Sequence, residues 1–589
     1  MNKDRILFVI LPQSLMLPTL GPAYLISYLR QYHIAADVFD CNLYKENFIS
    51  ELKKVVDTGY RLISMGFAMD QLFDAVSLTA LIKNQSPQCT VIIGGAGPSS
   101  APEYCLKKTG ADVLFSGEAE LALTKYAQGF LHGPHNPESI PGIYIRQGED
   151  IIFTGREEII HDLDTIPFPD LDSYINDYVK LEHQRFSYPA GTQWAPILTS
   201  RGCTHKCNFC FHTGKFRMRS ITNVIEELLL LNDIKEIGYV QFYDDLFTHS
   251  KERVLEFCEA YHKNNFTFRH YVKGRAEIFD KEIVDALRDS GCDAIAIGVE
   301  SYNEKTLDFI GKKVTKEQLK NACDVVKDGG VNLTLTYIFG EPTDTKESLD
   351  QTVDFVKDYI DGYENIPRTP FDLIPYPGTP IYRWGVKNGF IRDEDDFMEK
   401  LRLASKTYKP VFNFTDIPQS EFEALFASTK IKIMKYWIPK RLQYLNKLEK
   451  ANTASHERLS EWRKSLNNYL SQYNKSRTVC FDSSSGESLI DSLFSKFSTF
   501  IKDEHIEKLS IFGLGPVGSV VLGLASAAGI KITRLYDSKA KTVLDCKSQK
   551  FTPDNHDGTP VMICADDHDA ASTISMQMLE NEIDYYIVK

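Results

Sequence analysis

Three closely spaced cysteines carry the clearest chemical signal in the sequence. Cys203, Cys207 and Cys210 lie in the segment RGCTHKCNFCF, which follows the predicted strand APILTS. This spacing places three thiolates on one loop at the carboxyl end of a strand, and thiolates are the usual ligands of iron–sulfur clusters. Three of them can hold three irons of a [4Fe–4S] cluster and leave the fourth iron open. A zinc site needs another ligand to complete a tetrahedron, and His205 and His212 are nearby, so zinc stays open on spacing alone.

The composition limits the class of protein. Twelve cysteines in 589 residues are too few for a disulfide framework, and we expect the other nine to be buried thiols without a chemical role. Hydrophobic residues make up 43% and charged residues 25%, which is ordinary globular usage. The net charge of −13 argues against binding to nucleic acid or to a membrane surface. No apolar run is long enough for a membrane span, and no signal peptide is recognisable, so we expect a cytoplasmic protein.

The pattern of strands and helices predicts an α/β protein. Residues 4–130 alternate short apolar runs with amphipathic segments, which predicts a doubly wound parallel sheet. A second series with six predicted strands starts near Trp194 and predicts a partial or complete barrel, whose functional groups should lie at the carboxyl ends of its strands. The expected domains are a first sheet domain (1–135), a linker (136–190), the barrel (191–385), a helical region (386–475) and a Rossmann-like accessory domain (476–589).

Six segments of the barrel region resemble the radical S-adenosylmethionine (SAM) superfamily. In order they are TSRGCTHKCNFC, RMRS, FYDDLFT, GVES, IFGEPTDTKES and LIPYPGTPIY, and Phe209 provides the aromatic residue that precedes the third cysteine of the superfamily signature. The resemblance covers about residues 190–400. It implies that SAM chelates the open iron of a [4Fe–4S] cluster, and that one electron then cleaves SAM to methionine and a 5′-deoxyadenosyl radical. It also implies a flavodoxin- or ferredoxin-type electron donor.

The same resemblance suggests residues that bind SAM. Glu300 and Ser301 end a strand in GVES, Asp245 ends another in FYDD, and Arg275 of KGRAE is suited to pair with the SAM carboxylate. Each has a structural alternative, namely a hydrogen bond at a strand end, a helix cap or a surface ion pair. Asp244 is the other candidate in FYDD, and the sequence does not separate it from Asp245.

Residues 4–130 resemble the cobalamin-binding domain that often precedes such a barrel. Pro18 stands where cobalamin domains of the His-bearing type have the histidine that ligates cobalt, so no histidine of this loop would ligate cobalt. The residues predicted to contact cobalamin lie on four loops: Gly21; Met69, Asp70 and Gln71; Gly94, Gly95 and Gly97; and Glu118. A flavodoxin-like scaffold without a ligand is the alternative.

The C-terminal region contains a possible dinucleotide fingerprint. Gly513, Gly515 and Gly518 form a GxGxxG turn after a predicted strand, and Asp537 ends the next strand 19 residues later. The region is about half as long as a complete two-lobed fold, and a catalytic Tyr-x-x-x-Lys is missing. We therefore expect an accessory domain for substrate or partner docking rather than binding of NAD(P).

The leading hypothesis is a cobalamin-dependent radical SAM methyltransferase that acts on an unactivated carbon of a small molecule or natural product. A cyclisation, ring contraction or oxidation without methyl transfer is the runner-up. A nicotinamide-dependent oxidoreductase with a zinc-bearing insert, a non-catalytic cobalamin carrier and a methylthiotransferase are the other classes considered. The last would need a second cluster, for which Cys41, Cys89 and Cys105 are the available N-terminal cysteines.

Overall fold

The computed structural model describes most of the chain up to residue 476 and shorter segments after it. The described residues are 4–13, 19–170, 193–212, 214–234, 237–364, 367–407, 409–451, 454 and 456–476, with isolated segments between 478 and 588. They fall into two compact units. One contains the described residues up to 359 together with 370–426, and the other contains the remainder.

The first unit begins with a seven-stranded sheet in the order β2-β1-β3-β4-β5-β6-β7. The strands are β1 (Arg5–Ile10), β2 (Ala35–Asp40), β3 (Leu62–Gly66), β4 (Thr90–Gly94), β5 (Val113–Phe115), β6 (Ile143–Gln147) and β7 (Asp150–Phe153). The first five are parallel, and β6 and β7 are antiparallel additions. Strands such as RILFVI are apolar almost throughout because helices cover both faces of a parallel sheet.

Helices connect these strands and confirm the predicted doubly wound sheet. They are α1 (Leu20–Gln31), α2 (Phe48–Val56), α3 (Leu72–Gln85), α4 (Ala96–Ser100), α5 (Pro102–Thr109) and α6 (Glu120–His132). The order of the parallel strands reverses between β1 and β3, and ligands of such sheets bind beyond the carboxyl ends of the strands at this point. The β6–β7 hairpin falls within the segment 136–190, which the sequence analysis assigned to a linker, and it joins the sheet because Ile143 and Ile145 bury their side chains.

The second half of the first unit is an open half-barrel of six parallel strands. Its strands pair in chain order: β8 (Gln193–Ile197), β11 (Ile237–Phe242), β12 (Arg269–Gly274), β13 (Cys292–Glu300), β14 (Asn332–Phe339) and β15 (Phe371–Asp372). A small antiparallel pair, β9 (Ser200–Arg201) and β10 (Arg217–Met218), follows β8. The six predicted strands are thus confirmed. Of the two forms considered, a partial and a complete barrel, the described strands form the partial barrel.

The barrel helices begin at capped residues. They are α7 (Ile221–Asn232), α8 (Lys251–Lys263), α9 (Lys281–Asp289), α10 (Glu304–Phe309), α11 (Lys316–Asp328), α12 (Lys346–Lys357) and α13 (Pro380–Lys387). Each has an N-cap Ser, Thr, Asp or Asn whose side chain accepts a hydrogen bond from the first turn. These caps end the loops that follow the strands and so fix the loop lengths at the functional end of the barrel.

Helices and a small sheet complete the described chain. The helices are α14 (Glu394–Thr407), α15 (Gln419–Lys450) and α16 (His456–Ser476), in agreement with the predicted helical region. The strands β16 (Thr478–Val479), β17 (Lys508–Phe512), β18 (Lys531–Tyr536), β21 (Val561–Ile563) and β22 (Tyr585–Val588) form a parallel sheet, and β19 (Thr542–Val543) pairs with β20 (Cys546–Lys547). Gly513, Gly515, Gly518 and Asp537 lie outside the described residues. No helix in the described part of the chain has both the length and the apolar character that a membrane span requires.

The turn after β4 depends on a close backbone approach at Gly97. A Cβ atom at this position would lie 2.7 Å from the carbonyl carbon of Ala68 and from the nitrogen of Met69. We expect Gly97→Ala to lower the stability of the folded protein by about 1–3 kcal/mol, because the turns after β3 and β4 must move apart. Thermal unfolding measures the effect. Gly133→Ala is the control, since its nearest neighbour is an oxygen 3.9 Å away, and equal melting temperatures for both variants would contradict the prediction.

Candidate active site

The cysteine loop lies at the carboxyl end of the first barrel strand and is tied to the barrel by its backbone. The N–H of Cys210 donates to the carbonyl of Cys207 over 3.2 Å, and the N–H of Asn208 donates to the carbonyl of Ile310 over 2.9 Å. Cys207 is buried, whereas Cys203 and Cys210 are half-buried. The loop is therefore held in a defined shape while two of its thiols stay accessible from the functional end of the barrel.

The surroundings of the thiols fit an iron–sulfur cluster. Burial and the neighbouring Cys207, Asp245 and Cys203 raise the pKa of Cys210 to about 12, so metal binding must displace its proton. Arg275 places its Nη1 atom 3.9 Å from Cys207 Sγ, where a guanidinium can offset the charge of a thiolate. Among the described residues, no three His, Cys, Asp or Glu side chains are grouped around one metal position. Three ligands of a cluster need not share one position, because each binds a different iron.

The zinc alternative receives no support from the nearby histidines. His205 Nε2 lies 4.0 Å from Glu277 Oε1, and burial lowers the pKa of His205. The Nδ1 atom of His212 is buried and has no hydrogen-bond partner in the described structure. In the described part of the chain no hydrogen bond joins either imidazole to a cysteine thiol, and the contact of His205 with the Cys203 thiol is a backbone hydrogen bond, so neither ring provides a fourth ligand there.

The structure separates the two aspartates that follow β11. Asp244 is fully buried and accepts hydrogen bonds from the N–H and hydroxyl of Thr199, at 3.0 and 2.7 Å, and from the hydroxyl of Ser200 at 2.6 Å. It therefore fastens the loop after β11 to the strand end that leads into the cysteine loop. Asp245 lines a cavity instead. This division assigns Asp244 to structure and leaves Asp245 available to a ligand.

A buried ion pair lies at the end of β13. Lys312 Nζ donates to Glu300 Oε1 over 2.9 Å, and both side chains are about nine-tenths buried. A Cβ atom at Gly298 would lie 2.8 Å from Lys312 Nζ, so the pair packs directly over the bare backbone of this residue. Glu300 itself adopts a φ of 58°, which is costly for a residue with a side chain. Strain of this kind is concentrated at functional sites, which favours a ligand-binding role for Glu300.

The side chain of Arg275 differs from the pairing that the resemblance implied. Its Nε donates to Glu277 Oε1 over 2.5 Å, and its Nη2 donates to the carbonyl of Lys312. The remaining contact, from Nη1, is the one to Cys207 Sγ. Arg275 therefore braces the cysteine loop and the Glu300–Lys312 pair. Ser301 is also buried, with its N–H donating to the carbonyl of Val299. Binding of SAM by Arg275 and Ser301 remains a prediction.

One cavity of about 340 Å³ is lined by both halves of the first unit, a volume in the range of small-molecule sites. The first sheet contributes strand ends and loops, and the barrel contributes the segment before the cysteine loop and the end of β11. Four residues predicted to contact cobalamin and one predicted to contact SAM are among its lining: Gly21, Gly94, Gly95, Glu118 and Asp245. Predicted ligand residues that are far apart in the sequence thus meet at one place.

The lining of the cavity suits a phosphate-bearing ligand such as cobalamin. Gly21 lies in the first turn of helix α1, whose N-terminus carries a partial positive charge that favours a phosphate. A Cβ atom at Gly21 would meet no neighbour within 4 Å, so this side of the cavity is open. Gly95 has a φ of 96°, and a Cβ there would lie 3.0 Å from the backbone of Phe67. The glycines therefore leave room for a ligand and keep the turns after β3 and β4 together.

The other predicted cobalamin residues occupy different environments. Met69 is buried in the core with its sulfur 4.0 Å from Cys105 Sγ, so its side chain faces away from solvent. Gln71 bridges two loops, because its Nε2 donates to the carbonyl of Pro12 over 2.9 Å. Asp70 is exposed and faces the barrel. Burial, Asp70 and Asp372 raise the pKa of Tyr376 to about 12. Contacts of these residues with cobalamin remain predictions.

Glu118 takes part in an ion network that the sequence did not reveal. Its Oε2 atom accepts from Arg201 Nη1 over 2.8 Å, and Arg217 donates to both of its oxygens. Arg201 also pairs with Glu120 over 2.7 Å. The side chain of Glu118 therefore joins the first sheet to the barrel at the edge of the cavity.

Sequence reasoning missed four residues of the site: Arg201, Tyr243, Lys312 and Glu341. Arg201 and Tyr243 line the cavity. Both lie within the motifs TSRGCTHKCNFC and FYDDLFT, and this position was the available signal. Lys312 is 12 residues from its partner Glu300 and gives no local pattern. Glu341 lies inside the segment IFGEPTDTKES, which carried the resemblance without any role for this residue.

Comparison with known proteins identifies both halves of the first unit. The family model of the radical SAM superfamily matches residues 197–356, and the model of the B12-binding domain matches residues 9–127. An uncharacterized methyltransferase of Pyrococcus horikoshii is 26% identical over 380 residues, which are 64% of this chain and 80% of that protein. An anaerobic magnesium-protoporphyrin IX monomethyl ester cyclase of Rubrivivax gelatinosus is 25% identical over 300 residues, or 49% of this chain and 52% of the cyclase.

A solved structure supports the fold. The radical SAM methyltransferase TsrM of Kitasatospora setae, determined with cobalamin and a [4Fe–4S] cluster bound, superposes with a TM-score of 0.58 at 14% identity. The match covers 80% of this chain and 99% of that chain. The family matches give no support to the nicotinamide-dependent oxidoreductase. Cys41, Cys89 and Cys105 are all buried in the first sheet region, as expected for thiols without a chemical role.

The two aspartates after β11 provide a matched test of their separate roles. We expect Asp244→Asn to lower the melting temperature by about 4 °C or more, because the amide turns an N–H group toward buried donors. Asp245→Asn should leave the melting temperature within about 1 °C of the wild type, since its side chain lines the cavity. Thermal unfolding of both variants measures the difference. Equal losses would show that Asp245 also has a structural role.

The cysteine assignment is tested by removing one thiol at a time. Cys203→Ala, Cys207→Ala and Cys210→Ala should each lose the [4Fe–4S] cluster and the cleavage of SAM, because each removes one ligand. Corrin absorbance should be retained, since the first sheet is unchanged. Iron and sulfide content, the spectrum and the yield of 5′-deoxyadenosine are the measurements. Cys105→Ala is the control, and a loss of about four irons in that variant would support a second cluster instead.

Proposed function

We propose that this chain, which belongs to the radical SAM enzymes that carry a B12-binding domain, transfers a methyl group from cobalamin to an unactivated carbon of a small molecule. The observation that carries the proposal is the shared cavity. Gly21, Gly94 and Gly95 of the first sheet line it together with Arg201 and Asp245 of the barrel. A methyl carrier and a radical source must both face the same substrate, and this arrangement brings their two domains together at their functional edges.

The residues of the chain position the reactants. The three thiols of the cysteine loop would hold the cluster, and Glu300 and Asp245 would contact SAM. When bound, the cluster supplies the electron that cleaves SAM, and cobalamin carries the methyl group. The protein contributes geometry: Asp244 fixes the strand ends, and Arg275 fixes the cysteine loop against Lys312.

A tight turn at the end of the barrel would shield the site from water. Gly378 has a φ of 84°, and a Cβ at this residue would lie 3.0 Å from the ring of Phe211 and 3.2 Å from the carbonyl oxygen of Ser100. The turn thus packs against the cysteine loop and against the helix that follows β4. Phe209 and Tyr376 pack against the adjoining hydrophobic core. Exclusion of water protects reactive intermediates from side reactions.

Cyclisation without methyl transfer is the second candidate function. The similarity to the magnesium-protoporphyrin cyclase of Rubrivivax gelatinosus favours it, although the matched part is about half of that protein. The mass of the product separates the two candidates, because methylation adds one methylene unit to the substrate and cyclisation does not. The role of the C-terminal region in substrate docking and the identity of the electron donor remain predictions.

Filling the cavity provides a test that does not need the substrate. Gly21→Phe should reduce the corrin absorbance that survives desalting by at least about tenfold, because its ring would enter the open side of the cavity. The protein is reconstituted anaerobically with iron, sulfide and hydroxocobalamin. Its melting temperature without cobalamin should be unchanged, and exposed Gly133→Phe should bind corrin normally. In the wild type, after a low-potential reductant such as titanium(III) citrate has reduced the cobalt, label from methyl-labelled SAM should reach the bound corrin. Cleavage of SAM by a wild type that retains no corrin would exclude methyl transfer from cobalamin.

A further inference from the structure

Glu341 lies on the functional rim of the barrel, two residues after β14. The neighbouring strand ends carry the cysteine loop, Asp245, Arg275 and Glu300, and the carboxyl ends of parallel strands meet at one edge of the sheet. No role for Glu341 follows from the spacing of the sequence motifs. Its position nevertheless places it among the residues that face the ligands of this fold.

Hydrogen bonds to Asp344 hold the loop around Glu341, and none of them involves the side chain of Glu341. The carboxylate of Asp344 accepts the N–H groups of Gly340 and Glu341 at 3.0 and 3.1 Å and the hydroxyl of Thr306 at 3.2 Å. Gly340 has a φ of 113°, and a Cβ there would lie 2.8 Å from the carbonyl oxygen of Phe412. Asp344 thus supports the loop that carries Glu341.

Neither carboxyl oxygen of Glu341 has a hydrogen-bond partner in the described structure, although the residue is only 2% exposed. Among the described residues it is the one buried carboxyl group with both oxygens unpartnered. Glu300, on the adjoining strand, is paired with Lys312. Buried polar groups are almost always satisfied, and an exception of this kind is retained where a ligand supplies the partner.

The charges around Glu341 favour a cationic partner. Burial, Asp344 and Glu300 together raise the pKa of Glu341 to about 8, so the group is protonated at neutral pH when no ligand is bound. Three carboxyl groups meet here, and Lys312 is the cation paired with one of them. A positively charged ligand group would stabilise the ionised form of Glu341 and release its proton.

We propose that Glu341 forms a subsite for a protonated amine at the rim of the barrel. The inference rests on the proposed function, because the proposed function locates the reactants at this rim. The substrate supplies this amine, because the resemblance implies that the amino group of SAM is bound to the open iron of the cluster. The ammonium group would donate to the two carboxyl oxygens that lack protein partners. The binding step transfers one proton from Glu341 to solvent.

Calorimetric titration with S-adenosylhomocysteine, which carries the amino acid part of SAM and is not cleaved, tests whether the group that meets Glu341 belongs to SAM instead. The reconstituted full-length protein is titrated at pH 7 in two buffers of different ionisation enthalpy, which reports the protons released. Affinity and proton release should be the same for the wild type and for Glu341→Gln. An affinity about tenfold weaker in Glu341→Gln, or a smaller proton release, would assign Glu341 to SAM and would overturn the substrate subsite.

Matched pairs of primary amines and alcohols, such as 1-aminopentane and 1-pentanol, serve as probes for a substrate amine. Each is added at millimolar concentration during thermal unfolding. The amines alone should raise the melting temperature of the wild type by about 1–2 °C, and Glu341→Gln should remove the difference. Glu317→Gln, an exposed acid on α11, is the control for surface charge. The absence of a preference for amines over alcohols would also overturn the proposal. Neither measurement requires methyl transfer, so a failure of this proposal can be distinguished from a failure of the proposed function.

A stability measurement tests whether Glu341 is free of structural partners. The folded protein holds this proton more tightly than the unfolded chain, whose carboxyl has an ordinary pKa of 4.5, so the contribution of Glu341 to stability falls as the pH rises from about 4.5 to about 8. Glu341→Leu should therefore raise the melting temperature, and more at pH 8 than at pH 5. A lower melting temperature at both pH values would show a structural partner and would contradict the subsite.

Discussion

The buried ion pairs of Arg201 fix the two halves of the active site relative to each other. Arg201 lies two residues before Cys203, and its guanidinium contacts Glu118 and Glu120 at the end of the first sheet. Removing one partner of a buried pair leaves an uncompensated charge and costs about 3–5 kcal/mol. The loop that bears the thiols therefore cannot leave the first sheet without a large penalty. These pairs matter because they fix the position of the cysteine loop relative to the first sheet. Their net contribution to stability is small, as it is for buried ion pairs in general.

Features that are local in the sequence could be predicted, because their signals do not depend on distant residues. The spacing of Cys203, Cys207 and Cys210 fixes three thiols on one loop, and the alternation of apolar and amphipathic segments fixes the class of both sheets. The β6–β7 hairpin was not predicted, although its alternating pattern and Gly148 were visible in the sequence; in the structure Gly148 adopts a φ of 65° in the turn. The prolines and aspartates around it dominated the composition of the segment. The cavity also required the structure, since it depends on how two sheets meet.

The division between Asp244 and Asp245 shows why neighbouring residues could not be separated by sequence. Within a strand, adjacent side chains point to opposite faces, but β11 ends at Phe242 and the chain then leaves strand geometry. The two carboxyl groups are therefore assigned by the positions of Thr199 and Ser200, more than 40 residues earlier. Lys312 is a similar case, because its burial is explained only by Glu300 and by the missing side chain of Gly298. Such residues are specified by contacts that the linear pattern does not contain.

Energetically unfavourable features are concentrated at one part of the barrel rim. At the ends of β8 and β11 the carboxylate of Asp244 is satisfied within the protein by four hydrogen bonds. At the ends of β13 and β14 two features are unfavourable: Glu300 adopts a φ of 58°, although Lys312 pairs with its carboxylate, and Glu341 buries a carboxyl group without a partner among the described residues. Costs of about 1–3 kcal/mol for each feature persist only where the surrounding structure enforces them. Gly298, Lys312 and Asp344 supply that enforcement here. The carboxylate of Asp244 therefore holds the strand end that leads into the cysteine loop, while Glu341 keeps a buried carboxyl group that a ligand could complete.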